Sequence, residues 1–134
     1  MGLSNFSAVL SFAIQSEKDA LEAFDQILKS TTTANHECFA KLRTESEKAL
    51  KTLQTILREN VTELVMEPFE ELNEEKYRLS STESQPLEKA RAILSGQRQF
   101  FQDAAGVVNL REVKRALTRL AEKKTALLSE IPML

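Results

Sequence analysis

Residues 11–24 read SFAIQSEKDALEAF. Ala13, Ile14, Ala20, Leu21 and Phe24 recur at helical spacing, and the stripe extends back through Phe6, Val9 and Leu10 and forward to Leu28. That period predicts an amphipathic helix from about Asn5 to Lys29, with Ser4 or Asn5 able to accept the free amide hydrogens of its first turn. One position in the stripe is a carboxylate, Glu17. Either it is a charge at the edge of the apolar face, or it points into a bundle and serves something there.

The same period recurs three times. Phe39, Leu42, Ala49, Leu50, Leu53, Ile56 and Leu57 predict a second helix from about Asn35 to Asn60, with Ser46 in the gap of its stripe. Leu87, Ala90, Ile93, Leu94, Phe100, Phe101 and Ala104 predict a third, from Pro86 to about Ala105. Proline suits a first helical turn because its missing hydrogen would be unpaired there anyway. Gly106 is expected to end that helix, and Asn109 with Glu112 forms a capping-box pattern for a fourth. The fourth stripe is Leu110, Val113, Ala116, Leu117, Leu120, Leu127 and Leu128, followed by the apolar tail Ile131-Pro132-Met133-Leu134.

The connections shape the expected topology. Residues 30–35 and 106–109 are short links, which favour antiparallel hairpins. The link from about Asn60 to Gln85 is long; Pro68 interrupts any helix in its first part, residues 70–78 can form a short helix, and residues 80–85 are a loop. Two helical hairpins joined by one long crossover is the ferritin-like arrangement, distinct from a simple up-down-up-down bundle. The expected fold is therefore all-α, a four-helix bundle, as one domain over residues 1–134.

Composition limits the chemistry. With 134 residues and 42% hydrophobic content the chain can bury a core without staples. Three glycines and three prolines suit long helices better than many short strands. The net charge is −2 with acids and bases interspersed, which argues against a nucleic-acid partner. No apolar run reaches the roughly 18 residues of a membrane span, and no basic stretch followed by an apolar run marks a secretory signal. A cytoplasmic location is the expectation. Cys38 is the sole cysteine and His36 the sole histidine, which excludes an internal disulfide and a cysteine-rich metal site. His36 is expected to be solvated near a helix start, and Cys38 to pack as a small apolar group. The adjacent pair Phe100 and Phe101, beside Gln97 and Gln99, could line a pocket between helices; the expectation is core packing, with one ring in the core and the other under the crossover. The acidic run of residues 67–75 is expected to be a solvated face.

The segment Phe12-Ala13-Ile14-x-x-Glu17-Lys18-x-Ala20-x-x-x-Phe24 resembles the first helix of the rubrerythrin-like ferritin superfamily, in which the glutamate binds a di-iron centre. Phe39-x-x-Leu42-x-x-x-Ser46-x-x-Ala49 follows the phase of that family's second helix, whose Glu-x-x-His positions here hold Ser46 and Ala49. A faint internal repeat, Ala13-Ile14-Gln15-Ser16-Glu17 against Ala92-Ile93-Leu94-Ser95-Gly96, places the third ligand position at Gly96. In the fourth helix the Glu-x-x-His positions fall on Leu120 and Lys123, or on Lys124 and Leu127, by register. The resemblance thus implies the scaffold of a metal protein with most of its ligands replaced, Glu17 being a vestigial one.

No Glu-x-x-His pair occurs in the chain. The expectation is no metal, no cofactor and no catalytic residue. A carboxylate left inside a bundle requires a proton or a cation, since an unpaired buried charge is costly. Lys48, Lys123 and Lys124 are the candidate partners for Glu17. The leading functional expectation is a non-enzymatic protein acting through association, as a homo-oligomer or with a protein partner; residues 61–69 and the tail from Ile131 are the candidate interface segments, or covers for the ends of their own bundle. The competing expectations are a redox or oxygen-handling protein with an atypical metal site, and a bundle that binds a small molecule between its helices.

Overall fold

In the computed structural model the described residues are 6–30, 36–59, 86–108 and 110–131. They form an all-α four-helix bundle: α1 (Phe6–Ser30), α2 (His36–Glu59), α3 (Pro86–Val107) and α4 (Arg111–Glu130), with no strand among the described residues. At 1.5 Å per residue these rods are about 30 to 38 Å long.

Each helix turns its apolar stripe inward, and the stripes sort into two clusters. The first gathers Val9, Leu10 and Ala13 of α1, Ala49 and Leu53 of α2, the Phe100–Ala105 face of α3 with Val108, and Val113, Leu117, Leu120 and Ala121 of α4. The second gathers Ala20, Phe24 and Ile27 of α1, Phe39 and Leu42 of α2, Leu87, Ala90, Ile93 and Leu94 of α3, and Leu127 with Ile131 at the end of α4. Buried positions on α2 (39, 42, 46, 49, 53) alternate three and four residues apart, as do Val113, Leu117, Leu120, Lys124 and Leu127 of α4, where Ala121 is buried as well. This is the seam spacing of packed, nearly aligned helices.

Ion pairs tie the surface. Arg43 of α2 pairs with Asp25 of α1 and, at 3.1 Å, with Glu47 one turn along its own helix. Lys41 of α2 reaches Glu130 at the end of α4 at 2.7 Å. These groups are about half exposed, and pairs of that kind contribute little to stability.

Three expectations need correction. Gly106 does not end α3: its φ is not positive, the helix continues to Val107, and the Val108 amide still donates to the Ala104 carbonyl at 3.0 Å. Glycine stops a helix when it takes the left-handed conformation, and here it does not. The residue capping α4 is Leu110, with no side-chain cap; the Lys114 amide donates to its carbonyl at 2.8 Å. Phe100 and Phe101 are both core residues, their rings 5.7 Å apart and edge-on, with Phe100 also 5.1 Å from Phe12. Side chains about 100° apart both point inward when a helix packs against two neighbours, as α3 does against α4 and α1.

Ile131 is buried in the second cluster, so the start of the apolar tail packs on its own bundle. The first-turn caps Ser4 and Asn5, the 31–35 loop, residue 109 itself, the segment 61–69, the short helix over 70–78, the acidic run and the 80–85 loop lie outside the described residues.

Candidate functional site

Between the two apolar clusters lies a layer of polar side chains, one from each helix. Glu17 sits between Ala13 and Ala20, Ser46 between Leu42 and Ala49, Gln97 between Leu94 and Phe100, and Lys124 between Ala121 and Leu127. Among the described residues these four are the buried polar or charged groups, at 0%, 1%, 2% and 2% exposure. Each follows from phase: it occupies a stripe position, three or four residues from an apolar one on both sides, so the same packing that buries the leucines buries it.

The centre of the layer is an ion pair. The Lys124 ammonium donates to Oε1 of Glu17 at 3.1 Å and lies 3.0 Å from Oε2. The ammonium thus faces both carboxylate oxygens of Glu17. One residue before Glu17 on α1, the Ser16 hydroxyl accepts from the Gln97 carboxamide nitrogen at 3.4 Å, a long bond. Oε1 of Gln97 and Oγ of Ser46 are buried without a partner.

Of the three lysines named as partners for Glu17, Lys124 is the one beside it. Lys48 is exposed and 3.4 Å from Glu45 on its own helix, and Lys123 is exposed. Neighbours on a helix point about 100° apart, so burying Lys124 in the seam turns Lys123 outward. In α4 the inward register therefore holds Lys124 and Leu127. In α3 the layer position is Gln97 and not Gly96; the repeat that pointed to Gly96 is one residue out of phase with the seam. Gln97 was legible by its spacing from Ile93, Leu94, Phe100 and Phe101, all apolar, but a lone glutamine carries no chemical signal that sets it apart from a surface residue.

A di-iron centre, implied at this level by the family resemblance, does not fit these residues. Such a centre needs several carboxylates and two imidazoles converging on it. The layer offers one carboxylate, already held by an ammonium, with a hydroxyl and a carboxamide. Among the described residues no three His, Cys, Asp or Glu side chains come together.

A second feature is a hollow of about 340 Å³ between the start of α2 and the end of α4, lined by Glu37, Cys38, Lys41, Leu42, Leu127 and Glu130. Burial, reinforced by the Glu130 carboxylate and partly opposed by Lys41, pushes the Cys38 thiol above its ordinary range. That is the opposite of an activated nucleophile, whose pKa is lowered. His36 is exposed. No helix among the described residues is long and apolar enough to cross a membrane.

No protein-family model, curated protein or solved structure matches the chain.

Proposed function

We propose that this chain is a non-enzymatic, metal-free, ferritin-like bundle that works by association with a second copy of itself or with another protein. The observation that carries the reading is the Glu17–Lys124 pair: a lysine ammonium, 3.0 Å from the carboxylate, stands where a metal ion would otherwise neutralise it. A site whose one inward anion is matched by an internal cation has little electrostatic affinity for a second cation.

The ferritin-like topology rests on which ends share a cluster. The start of α1 packs with the end of α2, the end of α3 and the start of α4; its end packs with the opposite termini. That is the pattern of an up-down-down-up bundle, in which α1–α2 and α3–α4 are antiparallel hairpins. The link from α2 to α3 then has to travel the length of the bundle. Residues 60–85 can reach that far, since an extended chain covers about 3.3 Å per residue.

Association is favoured by elimination and by surface. The sole histidine is exposed, the sole thiol has a raised pKa, and the polar layer is sealed inside. Ile14, Leu57 and Leu110, partly exposed at the edge of the first cluster, are the apolar side chains that a partner would meet.

Two measurements on protein purified without chelator test the reading. Elemental analysis is expected to find iron and manganese well below one per chain; stoichiometric metal would favour the redox alternative. Sedimentation equilibrium over a wide concentration range is expected to show a dimer or larger species. A monomer throughout would leave a different protein as the required partner.

A further inference from the structure

We propose that the mid-bundle layer is wet, holding an internal water that bridges Ser46, Gln97 and Glu17. Two polar atoms in the layer, Oγ of Ser46 and Oε1 of Gln97, are buried without a protein hydrogen bond, and Oε2 of Glu17, 3.0 Å from the Lys124 ammonium, keeps a second lone pair. They come from α2, α3 and α1, and each residue sits between the same two apolar clusters. Native folds leave few such atoms, and an ordered water is their commonest partner where protein groups do not serve.

Ser46 has a local alternative that it does not use. On the same helix the hydroxyls of Thr44 and Thr52 donate to the carbonyls of Ala40 and Lys48, one turn back, at 3.0 Å each. Thr118 and Thr125 do the same on α4. The Ser46 hydroxyl makes no such bond and is buried in the layer. Gln97 is anchored through its nitrogen to Ser16 on α1, the residue next to Glu17, which leaves its oxygen as the open end.

Charge selects the occupant. Glu17 and Lys124 cancel, so the layer is formally neutral. An added anion would meet two acceptor oxygens, and an added cation would meet the ammonium. What the layer lacks is a neutral group with two donors, one for each open acceptor, and a lone pair for the Ser46 hydroxyl. Water has that inventory: it donates to Gln97 Oε1 and Glu17 Oε2 and accepts from Ser46. Internal waters typically make about three hydrogen bonds, which this arrangement supplies. The ion pair joins α1 to α4, and the water joins α1 to α2 and α3, so one polar level touches all four helices. This goes beyond the functional reading above and does not depend on it.

The test is a crystal structure of the full chain at a resolution that orders internal waters, with data collected above the iron and manganese absorption edges. The expected result is a peak without anomalous signal within about 3.2 Å of Ser46 Oγ and of Gln97 Oε1 or Glu17 Oε2, lost from the corresponding map of Ser46→Ala. A wild-type map with no peak there, its Ser46 hydroxyl bonded to the Leu42 carbonyl, would overturn the proposal. So would an anomalous scatterer at the position, or a peak unmoved by Ser46→Ala. The wild-type map decides even if the variant does not fold.

Discussion

Lys124 of α4 ends with its ammonium 3.0 and 3.1 Å from the two carboxylate oxygens of Glu17, a residue 107 positions earlier on α1. Neither side chain is more than 2% exposed. Removing two charges from water is costly, and their attraction repays this only when each has the other. The pair therefore acts as a conditional contact: acceptable when both halves meet, expensive for any arrangement of helices that separates them. It makes the mutual position of α1 and α4 a matter of charge as well as shape.

Lys124→Glu converts the pair into two facing carboxylates. At neutral pH the variant is expected to lose several kcal/mol, in the range of about 3–5 for breaking a buried pair. Two buried acids relieve their repulsion by binding a proton or a divalent cation. Urea denaturation should show stability returning as pH falls from 7 to 5, or on addition of manganese or zinc. A variant as stable as the parent at pH 7 and indifferent to metal would place Glu17 elsewhere.

Gly96 and Gly106 both lie inside α3, neither at positive φ, and a Cβ added at either meets nothing within 4 Å. Gly96→Ala and Gly106→Ala are each expected to stabilise the fold by about 0.5–1 kcal/mol, because alanine loses less backbone freedom in a helix. Paired urea curves measure this directly. A loss of stability at Gly106 would mean that the helix ends there after all.

Glu130 holds the Lys41 pKa above the ordinary 10.5, chiefly through the hydrogen bond between them. A lysine whose folded pKa is raised contributes stability that is fully present below the unfolded value and is lost as pH rises through the folded one. The stability difference between the wild type and Lys41→Met should accordingly hold from neutral pH up to about pH 10 and shrink above it. It should also shrink at high salt at pH 7, since both groups are about half exposed. A difference insensitive to both would mean that packing of the lysine stem is responsible.

Cys38 should alkylate slowly with iodoacetamide at pH 8, compared with a free thiol in a short peptide. Burial is the main cause of its raised pKa, and Glu130 adds to it while Lys41 opposes. Glu130→Gln removes the raising charge and leaves the lowering one, so its alkylation rate at the same pH should increase. An unchanged rate would show that burial alone governs the thiol.

What could be read in the sequence was whatever has a period. The four stripes are dense enough in Leu, Phe, Ile and Ala that their phase predicts which face is buried, and Glu17 and Ser46 stand out as interruptions of it. Lys124 was readable by the same rule, flanked by Leu120 and Leu127, but Lys48 and Lys123 are chemically identical and only three-dimensional packing separates them. Gln97 could be named beside Phe100 and Phe101 but not separated from Gln99, because nothing in its chemistry marks a buried glutamine. Gly106 and the cap of α4 depend on one backbone conformation each, which composition does not determine. The pairing of Phe100 with Phe101 turned on how many neighbours α3 has, a tertiary fact.

The most direct test of the account is a double-mutant cycle on Glu17 and Lys124, using Glu17→Gln, Lys124→Met and the double variant, followed by urea denaturation at pH 7. Each single change is expected to cost about 3–5 kcal/mol, and the double change much less than their sum, because the second substitution removes the charge stranded by the first. Costs that simply add, or single variants that unfold at the wild-type midpoint, would contradict the claim that these two residues neutralise each other inside the bundle.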